Sequence, residues 1–345
     1  MTLAPDLASL TTDPATPAIS IAVIEDGRVA RAEAAGVVTA GSAEPIDDRT
    51  LFHACSMTKL VTAVAVLRLV ERGDLDLDAD LDGLTPGWRL PRLDGTRTRA
   101  VTVRDLLSHQ AGIDDAAGSF EPLAPGEAVP AVIDLLRGTT SSHAGPVRAI
   151  RPPGIEFSYS DAGYAVVEHV VEVVTGKPFP VVLSDLVFGP LGLTTAVLRQ
   201  DGATVAPAAT GHHTSGVPVD GGWSRYPGLA GSGLWCTPTD FAVVLCDLLA
   251  SWDGAGVLLS PGTAAELMRP SAAEPAAGLG VFLPDRGEPR VYTQGWGVGF
   301  QCAAQVHPRG GNGIVVMTNR DPGVPQSESV VGELLRASRP QAGVR

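Results

Sequence analysis

Ser56-Met57-Thr58-Lys59 is the stretch of this chain whose residue types and spacing could do chemistry. On a helix, residues three apart share a face, so the Lys59 amine can lie beside the Ser56 hydroxyl. A serine hydroxyl is a weak nucleophile until a neighbouring base takes its proton. A helix N-terminus adds free N–H groups and a favourable dipole where an oxyanion would develop. The chemistry implied is attack of Ser56 on an ester or amide carbonyl, leaving an acyl group on the serine. The four-residue pattern alone is weak, since about one match is expected by chance in a chain of this size. A serine N-cap followed by an exposed lysine would look the same.

The elements that must position Ser56 are also legible. From Ser56 to Arg72 the pattern is helical, with Leu60, Val64 and Leu67 on one face and Gly73 as a stop. Residues 19–24 and 28–38 flank Glu25-Asp26-Gly27 and read as a β-hairpin. From 74 to about 217, helical stretches at 103–109, 131–137, 164–174 and 181–187 alternate with Pro/Gly-rich loops. Beyond them, 239–249 reads as a helix, 290–293, 299–306 and 313–319 as strands, and 330–337 as a closing helix. Strands at both ends with helices between predict an α+β fold: an antiparallel sheet built from both termini, flanked by helices, with an inserted mostly helical subdomain. The expected division is a sheet lobe of 1–73 and 218–345 and a helical lobe of 74–217. Together they would form one catalytic unit with the site between the lobes.

With 345 residues, 44% hydrophobic and 18% charged, the chain can bury a large core, which excludes disorder as its main state. Twenty-five Lys+Arg against 38 Asp+Glu give a net charge of −13, so the overall field repels phosphate backbones and anionic membranes. Neither nucleic acid nor a membrane is an expected partner. No apolar run reaches the ~18 residues that cross a bilayer. Residues 1–18 lack the basic and apolar regions of a signal peptide, so a cytoplasmic location is expected. Cys55, Cys236, Cys246 and Cys302 form no CxxC pair and read as buried small hydrophobes, so no metal or cofactor is expected.

Phe52-His53-Ala54-Cys55-Ser56-Met57-Thr58-Lys59 resembles the nucleophile segment of the serine β-lactamase and penicillin-binding-protein family. The likeness is strongest to its class C β-lactamase and family VIII esterase-like branch, which includes transacylases and D-aminopeptidases. Three further stretches follow in the family's order: 101–113, VTVRDLLSHQAGI; 153–164, ending Tyr159-Ser160-Asp161-Ala162-Gly163-Tyr164; and Gly189-Pro190-Leu191-Gly192-Leu193. The match runs from about Ala18 to Asn319, and four ordered motifs are far more specific than one.

The resemblance implies a β-lactamase/transpeptidase-like fold and a set of roles. Ser56 is the nucleophile, and Tyr159-Ser160-Asp161 stands for the family's Tyr-x-Asn, with Asp161 in place of Asn. A phenol beside an ammonium can have its pKa lowered, which makes Tyr159 the expected base and Lys59 its electrostatic partner. The Asp161 carboxylate favours the charged form of Lys59. The third motif, normally Lys or His ending in Gly, falls on Thr293-Gln294-Gly295, with Gly299-Phe300 at the family's spacing. Gly295 stands where backbone must approach the substrate. The N–H groups of Ser56 and Trp296 are the implied oxyanion donors, and Gln294 and Trp296 the walls of the acyl pocket. The cation at Thr293 is missing, which argues against β-lactam antibiotics and D-Ala-terminated peptides as main substrates. The expectation is a serine hydrolase or acyltransferase acting on an ester or amide of a small molecule, without a cofactor. The alternatives are a transacylase passing the acyl group to an amine or alcohol acceptor in secondary metabolism, and a non-catalytic ligand-binding relative.

Other features carry less. Asp74, Asp76, Asp78 and Asp80 miss the calcium-loop template at Ala79 and Thr85. His212-His213 lacks a third ligand and reads as loop. Gly228–Gly233 lacks the Gly-x-Ser-x-Gly spacing and reads as the glycine-rich segment before the next helix. His53 and His109 read as structural histidines with satisfied hydrogen bonds.

Overall fold

The computed structural model describes residues 6–11, 16–92, 99–116, 118–124, 126–141, 143–198, 206–284 and 290–338. Residues 1–5 and 12–15, part of the stretch read for a leader, lie outside the described residues, as do 339–345 at the end of the sheet lobe. The expected hairpin is β1 (Ala18–Glu25) and β2 (Arg28–Gly36), turned by Asp26 and Gly27 at φ 50° and 71°. Asp-Gly suits such a turn because both central residues need positive φ. Short strands follow: β3 (Phe52–His53), β4 (Thr139–Thr140), β5 (His143–Ala144), β6 (Val197–Leu198) and β7 (Leu234–Cys236). The last three are β8 (Val291–Gly297), β9 (Phe300–His307) and β10 (Asn312–Thr318).

The main sheet has the order β2-β1-β10-β9-β8 and is antiparallel throughout. The two ends of the chain therefore meet at its centre, where β1 pairs with β10 from Ile19–Thr318 to Ile24–Gly313. Alternate β1 residues face opposite layers. Ala22 and Ile24 join the main core, while Ile19, Ile21 and Val23 pack with Val316, Val331 and Leu334. A strand buried on both faces has no polar side, which is why Ala18–Glu25 reads as a nearly unbroken apolar run. The Pro238–Trp252 helix covers one face and the Val330–Ala337 helix the other.

The main core continues from the sheet into the helical middle, through Leu60, Leu106, Tyr164, Val167, Phe179 and Phe241. Helices form at Val103–Leu107, Val132–Arg137 and Asp161–Thr175, near the positions that apolar spacing gave. Several details differ from the sequence expectations. The helix expected at 181–187 is a short one, Phe179–Leu183, continued by a wider π turn over Ser184–Phe188. The strand expected at 290–293 runs on to Gly297, which makes Gln294, Gly295 and Trp296 strand residues. A second sheet, β3-β7-β6, was not expected, because strands of two or three residues carry no readable period. Among the described residues no helix is long and apolar enough to cross a membrane.

Candidate active site

The small second sheet sets the position of Ser56. Strand β3 pairs with β7 through Phe52–Cys236 and His53–Trp235, and Ala54 N–H donates to the Leu234 carbonyl at 2.9 Å. The chain then makes a 3-10 turn, Cys55–Met57, with Cys55 at φ 46°, before the regular helix Thr58–Glu71. Ser56 thus sits on the turn that feeds the helix. The Thr58 hydroxyl donates to Cys55 O at 2.6 Å and accepts from Leu234 N–H at 3.1 Å, tying the turn to β7.

Lys59 is 3% exposed and engages all three of its donors: Ser56 Oγ at 3.2 Å, the Gly231 carbonyl at 3.0 Å and Asp161 Oδ1 at 2.5 Å. Burial alone would push the ammonium down, but the charge of Asp161 and the Tyr159 phenol outweigh it and hold Lys59 above its ordinary value. At neutral pH it is a cation and cannot take the Ser56 proton.

The Tyr159 ring lies 4.8 Å from Lys59 Nζ, and its phenol is near enough to Lys59 and Ser56 for both to act on its ionisation. The sequence leads one to expect a lowered phenol. The structure shows the reverse: burial of the hydroxyl end raises it, and Lys59 offsets that only in part. The residue as a whole is 40% exposed. His109 stacks on this ring at 4.4 Å, and its Nδ1 accepts the Ser160 N–H at 3.1 Å. Burial and Lys59 hold the imidazole well below its ordinary value, so it is neutral. His53 likewise meets the Ser232 carbonyl through Nε2 at 2.5 Å.

Asp161 opens the Asp161–Thr175 helix, whose N-cap is Ser160. Asp115 clamps this start, accepting from Ser160 Oγ at 2.7 Å, Asp161 N–H at 2.7 Å and Ala162 N–H at 3.1 Å. Two turns further, buried Glu168 accepts the N–H groups of Leu229 and Ala230 at 2.8 and 2.9 Å. It fixes the turn that presents the Gly231 carbonyl to Lys59, and burial pushes its carboxyl up to about 8. Sequence reasoning missed both. Asp115 gives no local signal, whereas Glu168 interrupts the buried stripe of Tyr164, Val167 and Val171, where a charged residue is rare.

Strand β8 forms the opposite wall. A Cβ on Gly295 would lie 2.3 Å from Ala54 O and 2.9 Å from Cys55 Cβ, so only glycine lets the strand approach the nucleophile turn. Both backbone groups of Tyr292 bond Phe282, on the side away from β9, at 2.8 and 2.9 Å. The two-residue period gives Trp296 the same orientation, so its N–H is turned to the open edge of the sheet. Thr293 shares the buried face with Gly295 and is 3% exposed, while Gln294 accepts from the Tyr292 hydroxyl at 2.6 Å. A cavity of about 50 Å3 is lined by Ser56, Asp161, Tyr226, Gly231 and Trp296. Thr293 and Gln294 are not part of that lining, whereas Tyr226, which the sequence did not single out, is. The Tyr226 hydroxyl accepts the Val298 N–H at 2.8 Å, and Val298 also lines a groove of about 630 Å3. His212, expected in a loop, is fully buried, with Nδ1 at 2.8 Å from the Asn319 carbonyl and Nε2 accepting Ala40 N–H at 3.0 Å.

Comparison with known proteins agrees with this architecture. The Beta-lactamase family model matches residues 6–333. Penicillin-binding protein 4 of Amycolatopsis lactamdurans is 31% identical over 209 residues, 59% of this chain and 50% of that protein. An esterase of Burkholderia gladioli is 33% identical over 177 residues, 50% of this chain and 44% of that protein. The chain thus spans half or less of the length of these curated relatives. The D-amino acid amidase of Ochrobactrum anthropi SV3, solved with L-phenylalanine, superposes at a TM-score of 0.75 and 20% identity, covering 94% of this chain and 91% of that one. That likeness shows the fold, and the family model spans nearly the whole sequence: the chain belongs to the beta-lactamase family.

Proposed function

We propose that this protein is a serine acyl hydrolase that opens esters or amides of small molecules through an acyl group on Ser56. The observation that carries the reading is the line Ser56–Lys59–Asp161, at 3.2 and 2.5 Å, with the Tyr159 ring 4.8 Å from Lys59 Nζ. Ser56 Oγ attacks the carbonyl carbon while Tyr159, in its phenolate form, takes the proton and returns it to the leaving group. Lys59 stabilises the phenolate, and the N–H groups of Ser56 and Trp296 hold the oxyanion. Because burial raises the phenol, the reactive form is scarce at neutral pH and the rate climbs with alkalinity.

The same geometry supports a substrate class. Thr293 offers no cation and is buried, Gln294 is tied to Tyr292, and the donors of Lys59 are all engaged. A carboxylate of the β-lactam or D-Ala-terminated peptide kind therefore lacks a partner at this wall. The wide groove beside Val298, lined by Leu123, Val219 and Trp223, suits an apolar body. Ser56 and Lys59 come from residues 1–73, Tyr159 and Asp161 from 74–217 and Trp296 from 218–345, so the two lobes act as one catalytic unit. Hydrolysis of uncharged p-nitrophenyl esters tests the reading, with and without added amines to detect acyl transfer. Ser56→Ala should lower the rate by about 10^4-fold or more; an unchanged rate would overturn it.

A further inference from the structure

Asp161 is where the chain departs from the family's second motif, and the departure places a carboxylate at the reacting centre. Its Oδ1 is held by Lys59 at 2.5 Å. Its Oδ2 makes no hydrogen bond among the described residues, and the side chain is 35% exposed. The carboxylate and Ser56 line the same cavity of about 50 Å3, which has room for water. Asp115 and Lys59 fix the carboxylate from two directions, through the backbone N–H at 2.7 Å and through Oδ1. An amide at this position could donate to or orient a substrate, but it could not accept a proton from water at neutral pH. The carboxylate can.

We infer that Asp161 is the general base that activates water to discharge the Ser56 acyl group. The inference rests on the Ser56 acyl-enzyme reading. Oδ2 removes a proton from a water molecule in the cavity as the water oxygen bonds to the acyl carbon, and the carbonyl electron pair moves onto the oxygen held by the Ser56 and Trp296 N–H groups. Collapse re-forms the carbonyl and breaks the bond to Ser56 Oγ. Lys59, 3.2 Å from Oγ, protonates it and recovers a proton from the Asp161 acid. The products are a carboxylic acid, a free Ser56 hydroxyl and the original Lys59–Asp161 pair, with no other reactant consumed. Acylation and discharge thus use different bases on the two sides of Lys59: Tyr159 for the first, Asp161 for the second.

The test is Asp161→Asn, which keeps the shape of the side chain, with p-nitrophenyl butyrate followed by stopped-flow absorbance and acid-quenched mass spectrometry. The expected result is a retained burst of one p-nitrophenol per enzyme, a steady-state rate lower by about 10^2- to 10^4-fold, and accumulation of the Ser56 adduct. Asp161→Ala should accumulate the same adduct, and added formate, a carboxylate small enough for the vacated space, should speed its release. A variant that turns over at the wild-type steady-state rate, or that loses the burst itself, would overturn the assignment of Asp161 to discharge. If neither the wild type nor the variants ever carry an adduct on Ser56, the acyl-enzyme reading fails with it.

Discussion

The two walls of the site are held in opposite ways. On the Ser56 side, buried side chains fix one another: Lys59 is saturated by Ser56, Gly231 and Asp161, Asp161 is set by Asp115, and the Gly231 turn is set by Glu168. On the β8 side the contribution is backbone. Gly295 permits the approach, and Trp296 turns an N–H to the free edge. In the first wall, removing one member leaves a neighbouring charge or donor without that partner. The second carries no cation at Thr293 and still presents a backbone N–H at Trp296, the oxyanion donor of the proposed mechanism, that no side chain supplies. On the proposed mechanism, chemistry and substrate choice are carried by different parts of the molecule.

If the charged wall drives acylation, Tyr159→Phe should show the largest loss in this comparison, about 10^2- to 10^4-fold in kcat/KM. The wild-type rate should rise from neutral to alkaline pH, as the raised phenol ionises, and the variant should lack that rise. Neutral His109 should add no inflection of its own. A variant with the same alkaline limb would assign the base elsewhere.

The backbone wall is tested by comparing Trp296→Pro with Trp296→Ala. Proline removes the N–H but no ladder bond to β9, because that N–H faces the edge. Proline should cost about 10^2- to 10^3-fold in kcat beyond the alanine effect. Equal losses would mean that the side chain, bonded through Nε1 to Asp321 at 2.7 Å, is all that matters there.

The smallest expected effect concerns the support of the first wall. The Glu168 carboxyl is raised from 4.5 to about 8 in the fold, so its stabilising contribution is complete below pH 4.5 and is lost as pH rises through about 8. Glu168→Gln can still accept the two N–H groups and should show a Tm that falls less than the wild type's between pH 5 and pH 9. Parallel Tm curves would place no titration there.

Much of this was legible in the sequence where the cause is local. The Ser56–Lys59 spacing follows from helix geometry, and the β1 and β10 runs are apolar because both of their faces are covered. Gly299-Phe300 fixed the register that puts Gly295 against the nucleophile turn. What escaped depends on contacts between distant segments: Asp115 on the Asp161 helix, Gly231 on Lys59, and Tyr226 on Val298. The direction of the Tyr159 phenol is hidden for the same reason, since it is decided by burial that only the folded chain creates.

The most direct measurement is acid-quenched peptide mass spectrometry of the protein mixed with a p-nitrophenyl ester. The expected result is a single added acyl mass on the peptide bearing Ser56 in the wild type, and none in Ser56→Ala. Ester turnover with no acyl group ever found on Ser56, under conditions where p-nitrophenol release shows a burst, would contradict it.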